Sequence, residues 1–363
     1  VTARRTPPTA HPVASHLERT TAVLTTFLRE QFAHLGDIVG DDRIWSSVVA
    51  DIERFTAGGK HLRPEFCYWG WRAGGGTDSD RVVQVSAALE LLHAFALVHD
   101  DIIDHSDIRR GLPTMHRHCA ELHRRYGLRG HSAAFGEAVA ILVGDLCLGW
   151  FRDMLDAGVF GLAQGRDVRR LASRTIAELV GGEYLDLAEQ SAQHPSIARS
   201  SKVIVYKTSR YTIERPMQLG ATLAGGDPVV VNSFSRYALP LGEAFQLRDD
   251  LLGAFGDPRL TGKPDGDDLR AGKGTVLMAT TRELADDVAR RAIDAHLRRE
   301  TVTEEDVACL REIMVATGAV KAIEERIGRQ MRAAVRAADE IPTDTVVREA
   351  LRDLASRTAY RNH

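Results

Sequence analysis

The 363-residue chain is short of the features that mark several protein classes. It has four cysteines, Cys67, Cys119, Cys147 and Cys309, and no two form a CxxC pair. That argues against a cysteine-based zinc site or redox motif and for buried, reduced thiols in a cytosolic protein. It has no excess of one charge: 47 Lys and Arg face 50 Asp and Glu, a formal net charge of -3. A nucleic-acid binder usually carries a basic excess, so no nucleic-acid partner is expected. No apolar run reaches the ~18 residues of a membrane span, so no span is expected. The N-terminal VTARRTPPTAHPVA is basic but has no apolar stretch of the kind a secretory signal needs. Residues 1–14 read as a disordered arm, and the protein as cytoplasmic. Alternating β patterns are almost absent.

What is present is helical periodicity. Residues 15–35 place Leu17, Val23, Leu24, Phe27, Leu28 and Phe32 at helical spacing. Long helical stretches also read over 80–104, 136–157, 167–190, 202–224 and 229–255, with kinks expected at Pro216 and Pro240. Residues 276–340 add two or three amphipathic helices. One is expected to start at Thr303, where Thr303 and Asp306 give a capping-box pattern. A last helix follows Pro342. Breakers lie at 73–77, 109–113, 225–228 and 257–275. With no long linker and no repeat, the expectation is one all-α domain over 15–363, a bundle of about a dozen helices.

Two acidic motifs carry the chemistry. In Asp100-Asp101-Ile102-Ile103-Asp104, Asp100 and Asp104 share one helix face and Asp101 borders it. Carboxylates this close repel one another, and a hard divalent cation with oxygen ligands, Mg²⁺, would relieve the repulsion. Asp249-Asp250 repeats the arrangement near the end of a second apolar helix. Two such carboxylate walls would hold several Mg²⁺ around a diphosphate and stabilise it as a leaving group. Basic residues alternate with these acids: Lys60 and Arg63 in GGKHLRP, Arg109 and Arg110 after the first motif, Lys207, and Lys263 and Lys273 in TGKPDGDDLRAGKGT. Arg as a planar fork and Lys as a point charge both suit diphosphate oxygens. No GxxxxGK[ST] motif is present, which argues against a nucleotide kinase.

GGKHLRP, ELLHAFALVHDDIIDHSDIRRG, KT, GEAFQLRDDLLGAFGD and TGKPDGDDLRAGKGT, in this order, resemble the trans-isoprenyl diphosphate synthases. The resemblance implies an all-α isoprenoid synthase-type bundle around a deep central cavity. It also implies a homodimer, and three Mg²⁺ per active site. Asp100, Asp101 and Asp104 resemble the first aspartate-rich motif, and Asp249 and Asp250 the second, as metal ligands. Arg109, Lys207, Lys263 and Lys273 would serve the allylic diphosphate. Lys60, Arg63, His93 and Arg110 would bind isopentenyl diphosphate. Thr208 and Gln246 would sit with Lys207 beside the reacting carbons. One departure stands out: Gly253 occupies the place of the third aspartate of the second motif, and Asp257 offers partial compensation.

Product length is read from the helix leading into the first motif. Phe95 lies five residues before Asp100, about 7.5 Å deeper along a helix. A ring there would act as a floor, with Ala96 small beside it and Leu92 about a turn further down. In the resembled family one aromatic at this place goes with a C20 product, geranylgeranyl diphosphate. Farnesyl diphosphate and then a longer polyprenyl diphosphate are the alternatives; a product left unchanged by Phe95→Ala would place the floor elsewhere, near Trp150 or Phe151. The primers would be dimethylallyl, geranyl or farnesyl diphosphate. A class I terpene cyclase shares the first motif, but of its second metal motif only Asn232-Ser233 is found. A non-catalytic partner subunit would be expected to have lost one acidic motif.

Overall fold

The structure is a computed structural model that describes residues 12–40, 42–256, 266–297, 299 and 302–359. It is all-α: sixteen α-helices and one π-helix are described, and among the described residues the strands are the two of one short hairpin. The described residues group into two compact units.

The first unit comprises residues 1–106, 114–169 and 220–225. Its helices are α1 (Pro12–Val39), α2 (Arg43–Ala57), α3 (Leu62–Ala73), α4 (Asp80–Ile103), α5 (Met115–Arg125) and α6 (Ser132–Val159). α4 is apolar around its whole circumference, and a helix of that kind belongs in a core. It packs on α6, α3 and α1, burying Val82, Val85, Leu89, Leu91, Leu92 and Val98. Residues 12–14, expected within a disordered arm, are instead the start of α1. Residues 1–11 lie outside the described residues.

The expectation that no stretch is long and apolar enough to cross a membrane needs correction. α4 and α6 both meet that length and hydropathy, and 72% of the α4 window is buried inside the protein. α4 is thus a core helix, which composition cannot distinguish from a span.

The second unit comprises residues 107–113, 170–219 and 226–363. It holds the antiparallel hairpin β1 (Ile108–Arg109) and β2 (Leu112–Pro113), and most of α7 (Gly165–Gln190). Then come α8 (Ile197–Val203), the π-helix Ile204–Glu214, the first part of α9 (Arg215–Leu223), α10 (Pro228–Phe255) and α11 (Asp267–Arg270). The chain ends with α12 (Val276–Leu284), α13 (Asp287–Leu297), α14 (Glu304–Ala316), α15 (Ala319–Glu340) and α16 (Thr345–Ala359). α10 is the centre of this unit, packed on the π-helix, α15 and α16. Its buried Tyr237 donates its hydroxyl to the Leu351 carbonyl at 2.8 Å. α10 runs unbroken through Pro240.

The capping box at the start of α14 forms as the spacing predicts: Thr303 and Asp306 bond reciprocally to each other's backbone N–H. Residues 276–340 carry four helices rather than two or three, because Ala285 and Thr317–Gly318 end helices without a proline. The helix expected over 202–224 is three segments. Pro216 lacks an N–H to continue an α ladder, and the Arg215 N–H instead reaches back five residues to the Arg210 carbonyl.

The cysteines follow the sequence expectation in large part. All four are free, and Cys67, Cys119 and Cys147 are buried. Burial pushes these three thiols up to about 12, 11 and 12, which keeps them unreactive.

Candidate active site

In the first unit, Asp100, Asp101 and Asp104 occupy the last turn and C-cap of α4. Asp101 is 1% exposed. The Asp104 N–H donates to the Asp100 carbonyl at 2.8 Å, and the Ser106 N–H to that of Asp101 at 2.9 Å. A helix C-terminus carries partial negative charge, so carboxylates there are electrostatically disfavoured. Three of them on that turn make a site that favours a cation. The donors are all carboxylate oxygens, which suit a hard divalent ion such as Mg²⁺.

One helix supplies several other candidates. His93, Phe95, Ala96 and Leu92 all lie on α4. Leu92 is fully buried and Phe95 nearly so, while Ala96 and His93 are half-buried. The Phe95 ring meets the His99 ring edge-on at 4.9 Å between centroids. Lys60 and Arg63 straddle the junction of α2 and α3, where the expected turn gives way to helix at Leu62. Lys60 is exposed and Arg63 half-buried.

Arg109 and Arg110 belong to the hairpin of the second unit. Ile108 pairs with Pro113 and Arg109 with Leu112, leaving Arg110-Gly111 as a two-residue turn. Both turn residues have positive φ, 53° and 75°, as a type I′ turn requires. Among the described residues only three non-glycine residues have positive φ: His61, His105 and Arg110. All three lie in or beside the two basic and acidic motifs. Strain of this kind costs about 1–3 kcal/mol per residue and gathers at functional sites.

Lys207 and Thr208 lie in the π-helix, a geometry that recurs at functional sites. Two glycines let neighbouring helices approach it. A Cβ at Gly182 of α7 would lie 2.7 Å from the Lys207 nitrogen, and one at Gly242 of α10 would collide with Ser209. The Lys207 ammonium is clasped by Glu183 at 2.9 Å and Asp186 at 2.7 Å, carboxylates that sequence reasoning did not select. Thr208 donates to Gln246 Oε1 at 2.7 Å, and Gln246 Nε2 donates to Asp250 Oδ1 at 3.0 Å. The structure thus joins Thr208, Gln246 and Asp250 in one hydrogen-bonded chain.

Asp249 and Asp250 sit six and five residues before Phe255, the last residue of α10, inside the helix and beyond the reach of its terminal field, which falls off within the last turn. Burial pushes the Asp250 carboxyl up to about 8. The Asp268 and Asp249 charges add to the rise, while the Gln246 hydrogen bond and Lys273 oppose it. A buried acid crowded by two others fits a divalent cation.

The structure also accounts for Gly253. A Cβ there would collide with the Asp268 carboxylate, so Asp268 fills the space beside α10 that a third aspartate would need. Asp268 lies 3.9 Å from the Lys273 ammonium and its carbonyl accepts the Lys273 N–H at 3.0 Å. Sequence reasoning missed Asp268 because it lies fifteen residues from Gly253, in a Gly/Asp-rich stretch that read as a breaker but carries the short helix α11; its signal was the carboxylate five residues before Lys273. Lys263 and Asp257 lie outside the described residues.

The Polyprenyl synthetase family model matches residues 48–314, a stretch that includes every one of these motifs. The chain belongs to the polyprenyl synthetase family. Among relatives of this prenyltransferase, the geranylfarnesyl diphosphate synthase of Aeropyrum pernix is 31% identical over 260 residues, 69% of this chain and 76% of that protein. The geranylgeranyl diphosphate synthase of Saccharolobus solfataricus is 32% identical over 268 residues, 73% of this chain and 75% of that one. The crystal structure of geranylgeranyl pyrophosphate synthase from Corynebacterium glutamicum, complexed with isoprenyl diphosphate and magnesium, matches with a TM-score of 0.89. The identity is 37%, over 95% of this chain and 98% of that one. The all-α architecture read from helical periodicity, and the isoprenoid synthase-type fold that the resemblance implied, are therefore the fold of the protein.

Proposed function

We propose that this polyprenyl synthetase condenses isopentenyl diphosphate with dimethylallyl, geranyl or farnesyl diphosphate in the presence of Mg²⁺, and that its product is the C20 geranylgeranyl diphosphate. The observation that carries the reading is the pair of acidic clusters, Asp100, Asp101 and Asp104 at the C-terminal end of α4 and the buried Asp250 with Asp249 and Asp268 around α10, each crowding carboxylate oxygens that suit a hard divalent cation. A terpene cyclase would not need Lys60, Arg63 and His93, since it has no second diphosphate to hold. A partner subunit without activity would not need both acidic motifs.

In this reading Asp100, Asp101, Asp104, Asp249 and Asp250 hold three Mg²⁺, with Asp268 in the space of the missing third aspartate. Magnesium, when bound, supplies the positive charge that stabilises the departing allylic diphosphate. Lys207, Arg109, Lys263 and Lys273 neutralise the same diphosphate. Glu183 and Asp186 fix the Lys207 ammonium before a substrate arrives, so little reorganisation remains for the reaction itself. Lys60, Arg63, His93 and Arg110 hold isopentenyl diphosphate without metal. Gln246 cannot turn freely, because Thr208 donates to its oxygen and its nitrogen donates to Asp250. Its amide and the Thr208 hydroxyl are thereby oriented for the positive charge that develops between the reacting carbons. The proton lost at the end passes to the released diphosphate.

The C20 assignment rests on Phe95 as a buried floor on α4, with Ala96 leaving space beside it and Leu92 about a turn below. A homodimer is supported by apolar residues left exposed on α6, where Leu142 is 63% and Ile141 46% exposed. We place the enzyme in the cytoplasm, in keeping with its four free cysteines.

The test is incubation with Mg²⁺, isopentenyl diphosphate and each of the three primers, followed by mass identification of the dephosphorylated alcohols. Geranylgeraniol from all three is the expected result. Farnesol or longer alcohols would retain the condensation and move the floor. A cyclic hydrocarbon, or no condensation, would overturn the reading.

A further inference from the structure

A carboxylate in the middle of the core helix α4 has no part in the chemistry above. Glu90 is flanked by Leu89 and Leu91, both buried to within 1%, and its own side chain is 6% exposed. A buried carboxylate is costly unless it is paired. Its Oε2 meets His61 Nδ1 at 2.7 Å. His61 sits at the N-cap of α3 in the left-handed region, φ 46° and ψ 39°, and its side chain makes no capping bond. The residue before Lys60, Gly59, also has positive φ, 126°. The chain therefore makes a tight reversal of hand just where it presents Lys60 and Arg63.

From this we infer that Glu90 and His61 are a positioning pair for the diphosphate-binding turn. Glu90 anchors His61 through its ring, and the backbone of His61 fixes the directions in which Lys60 and Arg63 leave the chain. Three residues on from Glu90, on the same side of α4, lies His93. One buried carboxylate so ties the turn to the helix that supplies its third ligand. The pairing explains two otherwise costly features together, a buried acid in an apolar helix and a histidine held in a conformation that side chains seldom adopt. It also places a hydrogen-bond partner on one carboxylate oxygen, Oε2, while Oε1 stays buried without one among the described residues. The inference rests on the assignment of Lys60, Arg63 and His93 to isopentenyl diphosphate.

The experiment uses the full chain and two readouts. Inorganic pyrophosphate without metal, measured by calorimetry, tests the turn whatever the turnover. Steady-state kinetics then separates KM for isopentenyl diphosphate from KM for the primer. Glu90→Ala should weaken pyrophosphate binding and raise KM for isopentenyl diphosphate, each about tenfold. The primer KM and the kcat at saturation should stay within about twofold. Glu90→Gln, which keeps an oxygen for His61, should recover most of the loss. His61→Gly removes the ring but tolerates positive φ. It should lose as much as Glu90→Ala, and the double variant should lose no more than either alone. If Glu90→Ala does not fold, His61→Gly and Glu90→Gln carry the test. Variants that melt earlier but bind pyrophosphate as the wild type does would overturn the inference, since the pair would then only support the fold. Equal rises in both KM values, or no pyrophosphate binding by the wild type, would overturn it as well. Absence of prenyl product from the wild type would strike the functional reading alone.

Discussion

Asp250 shows how burial and neighbouring carboxylates act on a single side chain. Its folded carboxyl is raised to about 8 from an ordinary 3.8. The folded protein therefore keeps a proton that the unfolded chain has released across that window. Unfolding releases it, so metal-free stability should fall as pH rises from about 4 to about 8. Mg²⁺ should relieve the repulsion, and its gain in Tm should be larger at pH 8 than at pH 5. Melting curves in chelator and in Mg²⁺ check this, and Asp250→Asn should flatten the pH dependence. Gly253 makes a second residue-scale point. Gly253→Asp would restore a familiar aspartate pattern, yet its Cβ would collide with the Asp268 carboxylate. The substitution should lower Mg²⁺ affinity and Tm together, and Asp268→Gly in the same chain should recover part of the Tm. The aspartates were legible in the sequence because Asp100 and Asp104 are spaced to share one helix face and Asp249-Asp250 stand as an adjacent acidic pair near the end of a second apolar helix. Asp268 was not, because its place beside Gly253 depends on a contact between residues fifteen positions apart in the sequence.

Elements carry the next group of effects. The π-helix Ile204–Glu214 is held between Gly182 and Gly242, and neither glycine marks a turn. Gly242→Val should force Ser209 away and destabilise the fold by about 1–3 kcal/mol in chemical denaturation, with the Thr208–Gln246 bond lost in the same step. Sequence periodicity did see a helical segment with Pro216 near a break. It did not see the π register, because that choice follows from which neighbours press on the backbone. On α4, by contrast, the depth of Phe95 below Asp100 follows from helix geometry alone. Phe95→Ala should shift the product toward longer alcohols, read by mass after dephosphorylation. An unchanged product would place the floor at Trp150 or Phe151. The capping box at Thr303 was likewise readable, since both its partners lie within four residues of each other.

At the scale of the whole molecule, α6 offers the clearest expectation. It meets the length and hydropathy of a membrane span, but with 39% of its window buried in the protein it leaves Ile141 and Leu142 to solvent in a single chain. Light scattering in the absence of detergent should give twice the 39.9 kDa chain mass, and Leu142→Glu should shift the protein toward the single-chain mass. Local pattern was enough to read that the protein is all-α, that carboxylates crowd together at two places near helix ends, and that basic residues alternate with them. Those properties depend on periodicity and on charges a turn apart, which are local. Tertiary packing alone revealed that Asp268 stands where an aspartate is missing, that Glu183 and Asp186 clasp Lys207, and that Glu90 reaches His61. Each of these joins residues fifteen or more positions apart, and such contacts form through packing, on which local spacing is silent.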